Sequence, residues 1–202
     1  MIRKKIYRTL PLATFIFLNT NILSGCGIQS IPKAKNAVDA AQAEILNQYQ
    51  RRSDLVPNLV EVVKGAAAQE KETLEAVVNA RAKATQMQVN LNDAESMQKF
   101  QRAQSELGNA LARLLVVSES YPQLKAMEGF RDLQVQLEGT ENRITVARQR
   151  AITAILEFNN QVTVFPTSLT NSLMFHYQPL PQWGADKDVK ALEQAPKVDF
   201  KK

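Results

Sequence analysis

The feature that most constrains this chain is an apolar residue returning every seventh position through its second half. Leu137, Ile144, Ala151, Phe158 and Phe165 share one heptad position, and Ile155 and Val162 fill the neighbouring row. Seven residues are close to two helical turns, so these side chains form one stripe on one helix. The roughly 40 residues that carry the stripe make a helix about 60 Å long. One helix cannot hide such a stripe alone. It needs partners with stripes of their own, and no segment alternates apolar and polar residues in the manner of a strand.

The partners lie upstream. Ile31, Val38 and Ile45 repeat by sevens, with Ala34, Ala41 and Tyr49 beside them. Pro57 follows; it disfavours helix at Val56 and suits the first turn of a new helix, so the spacing predicts either a kink or a break there. A second helix from Pro57 to about Thr85 carries Leu59, Val62, Val63, Ala66, Leu74, Val77 and Val78. Asn90-Leu91-Asn92-Asp93 reads as a turn, with Asn92 or Asp93 capping the next helix. That helix shows Phe100, Leu107, Leu114 and Tyr121 in register, with Leu111 between, and Pro122 closes or turns it. Only 7 glycines and 6% aromatic residues suit a chain rich in straight-chain helix formers. The expected fold is all-α: an elongated, antiparallel, up-and-down bundle of about four helices over residues 33–166, packed with left-handed crossings. Residues 167–202 are expected to form a non-bundle C-terminal tail that packs partly along the bundle or stays mobile.

The N-terminus reads as an address. Arg3, Lys4, Lys5 and Arg8 precede an apolar run over residues 10–18, the pattern of a secretory signal. Nine helical residues reach about 14 Å, short of the roughly 30 Å hydrocarbon core. Leu23-Ser24-Gly25-Cys26 then resembles a lipobox, and it contains the only cysteine in the chain. The competing readings are a plain signal with a chance cysteine and an uncut signal anchor. The expectation is a signal peptide over residues 1–25, lipid attachment at Cys26 and a short lipidated tether over 26–32. Two or more acyl chains would hold the protein stably on a membrane, facing the periplasm. By resemblance to lipoproteins of two-membrane bacteria, Gly27 in place of Asp favours the outer membrane.

This reading also removes most of the charge. Of 25 basic residues, four lie before Cys26, leaving 21 against 20 acidic ones. The formal +5 of the whole chain therefore gives no support for nucleic-acid binding.

Candidate chemistry is sparse. The one histidine, His176, stands between Phe175 and Tyr177 without a second histidine or a free thiol, so a packing or surface role is expected, with no metal site and no cofactor. Glu138 and Glu141 lie three apart on one helix side, a spacing that could serve acid–base chemistry but more often serves ion pairing; Arg143 and Arg148 are near. Gly139-Thr140-Glu141-Asn142-Arg143 interrupts the long stripe with poor helix formers. A close helix crossing at Gly139 beside a hydrogen-bonded layer is the expected cause, and a recognition surface is the alternative. Arg51, Arg52 and Asp54 flank Pro57, either as solvated charges or as contacts to a partner or anionic headgroups. The terminal Pro196-Lys197-Val198-Asp199-Phe200 reads either as a peptide docked by another protein or as a closure of its own bundle.

Several segments resemble the LemA family of bacterial envelope proteins. They include Arg51-Arg52-Ser53-Asp54-Leu55-Val56-Pro57-Asn58-Leu59-Val60, Glu72-Thr73-Leu74-Glu75-Ala76-Val77 and Tyr121-Pro122-Gln123-Leu124-Lys125-Ala126. They continue through Leu137-Glu138-Gly139-Thr140-Glu141-Asn142-Arg143-Ile144, Ala147-Arg148-Gln149-Arg150, Phe165-Pro166 and the Pro-Lys-Val-Asp-Phe end. The resemblance covers most of residues 34–200. It implies an antiparallel helical bundle attached to a membrane near its N-terminus, and it transfers no biochemical activity. The lipobox departs from the family, many of whose members look anchored by a transmembrane segment.

The function expected from all this is a non-enzymatic scaffold or adaptor, lipid-anchored in the cell envelope. Its partners would be an envelope protein, or itself through coiled-coil-like heptad seams. The alternative is a protein that shapes or tethers the bilayer directly, with residues 173–183 as its candidate surface. An enzyme with an unrecognised carboxylate site is a third, weaker reading.

Overall fold

Stripes at heptad spacing become buried seams only where a second helix meets them, and the computed structural model shows where that happens. It describes residues 28–87 and 89–184. Cys26, the start of the tether and the Pro-Lys-Val-Asp-Phe end lie outside the described residues. Among the described residues the elements are α1 (Ser30–Ala66), α2 (Lys71–Gln86), α3 (Ala94–Ser118), α4 (Pro122–Ala126), α5 (Glu128–Thr163), α6 (Thr167–Thr170) and one π turn (Asn171–Phe175), with no strand. The chain is an all-α helical bundle, as its periodicity predicts.

The helices organise into two compact units. The larger comprises Ile45–Arg148 with the described part of Pro181–Lys202. Its core is Leu59, Val63, Val77, Leu107, Leu114 and Phe130 with their neighbours, drawn from α1, α2, α3 and α5 and sealed by Leu124 of α4. Lys83 pairs with Glu106 at 3.3 Å, while Glu70, just before α2, accepts a 2.7 Å hydrogen bond from Tyr121 after α3. The start of α2 thus meets the end of α3, and the two run antiparallel. The bond to Glu70 raises the Tyr121 pKa above its ordinary value, because the carboxylate favours the protonated phenol. On the outside of α3, the hydrogen bond to Glu95 raises the Lys99 pKa.

The smaller unit comprises the described residues of Met1–Glu44 with Gln149–Leu180. Ser30 of α1 donates to Gln161 of α5 at 2.9 Å, and Arg150 pairs with Glu44 at 2.5 Å, so these two segments are also antiparallel. Ile31, Val38, Ala151, Ile155, Phe158 and Val162 are buried, in agreement with both heptad stripes. Phe165 breaks the stripe. It is 75% exposed, because α5 ends at Thr163 and the side chain no longer follows the helical rotation.

Two boundaries differ from the sequence expectation for physical reasons. At Pro57 the break is excluded and the alternative of a continuing helix holds, since the proline sits inside the 37-residue α1. A proline there removes the donor that would bond the Ser53 carbonyl. Arg81 of α2 supplies a replacement, donating from Nε to that carbonyl at 2.9 Å. Burial of Val56 and Leu59 in the core then outweighs the local preference against helix. The break comes instead at Ala67, which is fully buried in a turn closed by the Glu70 amide donating to the Ala67 carbonyl. The local sign of it is slight, a lysine and a glycine at Lys64-Gly65 before an alanine-rich stretch. The other predicted turn does form: Asp93 caps α3 by accepting from the Ser96 amide at 2.7 Å, and Pro122 opens α4.

Candidate functional site: a buried arginine beside an open groove

The charges that flank Pro57 do not share one environment. Arg51 and Asp54 are exposed, and Asp54 accepts from Gln50 one turn earlier. Arg52 is turned inward and only 3% exposed. It is therefore a structural residue of the larger unit's interior, and the expectation of a solvated charge is corrected. Adjacent residues on an α-helix project in directions about 100° apart, so the arginines at 51 and 52 necessarily diverge.

Arg52 organises a polar layer among α1, α3 and α5. Its Nη1 donates to Glu141 Oε1 at 2.7 Å, and its Nη2 donates to the Gln104 backbone carbonyl at 2.9 Å and to Gln104 Oε1 at 2.5 Å. The guanidinium carbon lies 5.2 Å from the centre of the Tyr49 ring, within cation–π range. Tyr49 in turn accepts a 2.9 Å hydrogen bond from Arg148. Its ring meets Phe100 edge-on at 5.1 Å, and Phe100 meets the buried Trp183 at 6.3 Å. Trp183 is thus packed into this unit and cannot serve an exposed aromatic surface.

The polar island on α5 has a different cause from the one its sequence suggested. No helix crosses closely at Gly139. A Cβ there would meet only the guanidinium of Arg143, at 3.5 Å. Thr140 is fully buried, donates to the Gln136 carbonyl at 2.7 Å and accepts from Arg143 at 2.9 Å. The hydrogen-bonded layer exists, but its centre is Arg52 on another helix. Glu138 stands outside it, exposed and accepting from Gln134. Glu138 and Glu141 therefore do not face one another across a shared centre.

Beside this layer an open groove of about 300 Å³ is lined by Tyr49, Arg52, Gln101, Gln104, Gly108, Glu141 and Arg148, among others. It adjoins, through Gly108 and Glu141, a more apolar groove of about 500 Å³ over Leu111, Ala112, Leu115 and Leu137. Together they follow the seam between α3 and α5. Arg148 donates to the Tyr49 phenol at the groove edge, and among the described residues it forms no ion pair with a carboxylate. Sequence reasoning picked out Arg52, Glu141 and Arg148 but missed Tyr49, Gln104 and Gly108 as parts of a site, since they look like ordinary helix residues until α3 is laid beside α5.

His176 is exposed and adopts a left-handed backbone (φ 57°) that ends the π turn. Among the described residues no cluster of three or more His, Cys, Asp or Glu could hold a metal, and no helix is long and apolar enough to cross a membrane. A family model described as the LemA family matches residues 41–200. No curated protein matches the chain.

Proposed function

The chain belongs to the LemA family, and we propose that it is a lipid-anchored envelope protein acting as a non-enzymatic adaptor, with the α3–α5 seam of the larger unit as its docking surface. The observation that carries this reading is the seam itself. One half offers apolar floor from Leu111, Leu115 and Leu137; the other offers amides, a carboxylate and the Arg148 guanidinium. Such a surface suits a protein segment with one apolar and one polar or acidic stretch. The anchor in this reading is the lipid on Cys26, inferred from the basic n-region, the apolar run and Leu23-Ser24-Gly25-Cys26.

A photo-cross-linking residue placed at Ala112 or Asn142, on the seam, tests the idea in living cells. The expected result is a discrete adduct with one other envelope protein, weakened by Arg148→Glu and by Cys26→Ala. An absence of adducts at both positions counts against the seam as a docking surface. Arg51→Glu probes the neighbouring exposed charge, whereas any change at Arg52 disturbs the fold first. The second reading, a protein that works directly on the bilayer, is favoured by the exposed Phe165, Leu169 and Leu173 of the smaller unit.

A further inference from the structure

Between Glu157 and Asp186 the chain contains no Asp, Glu, Lys or Arg. Uncharged stretches of this length normally disappear into a core. Here much of it stays outside. Phe165 is 75% exposed, Leu173 72%, and Val164, Leu169 and Met174 are each more than half exposed. Monomeric soluble proteins seldom present so many large apolar side chains within a dozen residues without a use for them.

The segment is a built feature. Asn171 is buried, and its side chain donates to the carbonyls of Val162 and Tyr177 and accepts from the Tyr177 amide at 3.0 Å. Asn159 grips the returning chain in the same way, donating to the Leu180 carbonyl and accepting from its amide. Phe158 holds Tyr177 edge-on at 5.7 Å. Two amides thus satisfy the backbone of the cap from within, and the large apolar side chains are left on its outside.

Its position in the smaller unit says what covers it. Ser30 donates to Gln161, so the beginning of α1 lies against the end of α5, three residues before Val164. Cys26 precedes Ser30 by four residues, at most about 14 Å of extended chain. Of the charges at the start of α1, Lys35 is paired with Asp39, and Lys33 carries the sign attracted by anionic headgroups. We infer that the cap over residues 164–177 is a second membrane contact, seated at the headgroup–acyl boundary of the bilayer that holds the Cys26 lipid. This rests on the lipid-anchor reading above. The cap adds to the anchor an apolar surface that restrains the smaller unit against the membrane, in place of a protein dangling from a tether.

The test uses the full chain, purified with its lipid and reconstituted into phosphatidylethanolamine–phosphatidylglycerol vesicles carrying nitroxide-labelled acyl chains. Acylation occupies the Cys26 sulfur, so Leu173→Cys presents a single free thiol for an environment-sensitive fluorophore. Ala43→Cys, at an exposed position on α1 in the same unit, is the comparator. Mass spectrometry of the N-terminal peptide reports acylation independently. The expected result is an acylated N-terminus, with emission from position 173 blue-shifted and quenched by nitroxide and emission from position 43 unaffected. Adding Leu169→Asp and Met174→Asp should lower the quenching about tenfold. An acylated protein whose position 173 is not quenched overturns the cap contact and leaves the anchor standing. A blue shift independent of nitroxide but dependent on protein concentration also overturns it, in favour of a second copy of this chain. Quenching at 173 without acylation removes the anchor and retains the cap contact. Neither acylation nor quenching sinks both.

Discussion

The two units solve opposite problems with polar side chains. In the larger unit a charge lies inside, and Arg52 is held by Gln104, Glu141 and Tyr49 while apolar residues close around the layer. In the smaller unit the buried polar group at the cap is a neutral amide, Asn171, and the large apolar side chains are outside. A buried charge is expensive and tolerates few arrangements, so it fixes helix register at the cost of versatility. A buried amide is cheaper and organises a short loop, freeing the surface for another use. Register control and surface presentation are thus separated along one chain.

The largest expected effect tests the inside charge. Arg52→Ala should destabilise the protein to urea by about 3 kcal/mol, near the lower end for a broken buried pair because Glu141 is 51% exposed on its side chain. Glu141→Gln should cost only about 1 kcal/mol. If the two cost the same, the ion pair dominates and the contrast with the smaller unit weakens. Next comes the amide. Asn171→Ala should cost about 2 kcal/mol by orphaning the Tyr177 amide and carbonyl, and the loss should appear in hydrogen exchange as faster exchange at Tyr177, with the Leu107 and Leu114 amides unchanged. Equal loss of protection in both units would show that the cap is no independent feature.

The smallest effect concerns Pro57. Arg81→Met should cost about 1 kcal/mol by leaving the Ser53 carbonyl unpaired. In a Pro57→Ala background the same change should cost almost nothing, since an alanine restores the missing backbone donor. A double-mutant cycle in chemical denaturation measures the difference, and strict additivity would show that Arg81 does not replace the proline's lost hydrogen bond.

How much of this was legible in advance differs from residue to residue. Ile31, Val38, Leu107, Leu114, Ile144 and Phe158 declare their burial through spacing alone, because an α-helix turns by a fixed angle per residue and the stripe follows. Phe165 continues the spacing and is exposed, because periodicity cannot show where the helix itself stops. Arg52, unlike Arg51, falls on the Ile31, Val38, Ile45 and Leu59 spacing and so faces inward, but what lets a charge stay there is the presence of Gln104 and Glu141 on facing helices.

By itself, then, the sequence determined the all-α class, the apolar faces, the turn before α3 with its cap at Asn92 or Asp93, and the family, since each depends on local spacing or on a few adjacent residues. Tertiary structure decided that α1 runs through Pro57, that the chain turns at Ala67, that Arg52 is buried and that the cap's apolar side chains are not. The first three of those outcomes each involve a partner distant in sequence: Arg81 for Ser53, Tyr121 for Glu70, Glu141 for Arg52. A hydrogen bond or a desolvation cost exists only once both groups occupy the same place, and no local pattern records that meeting.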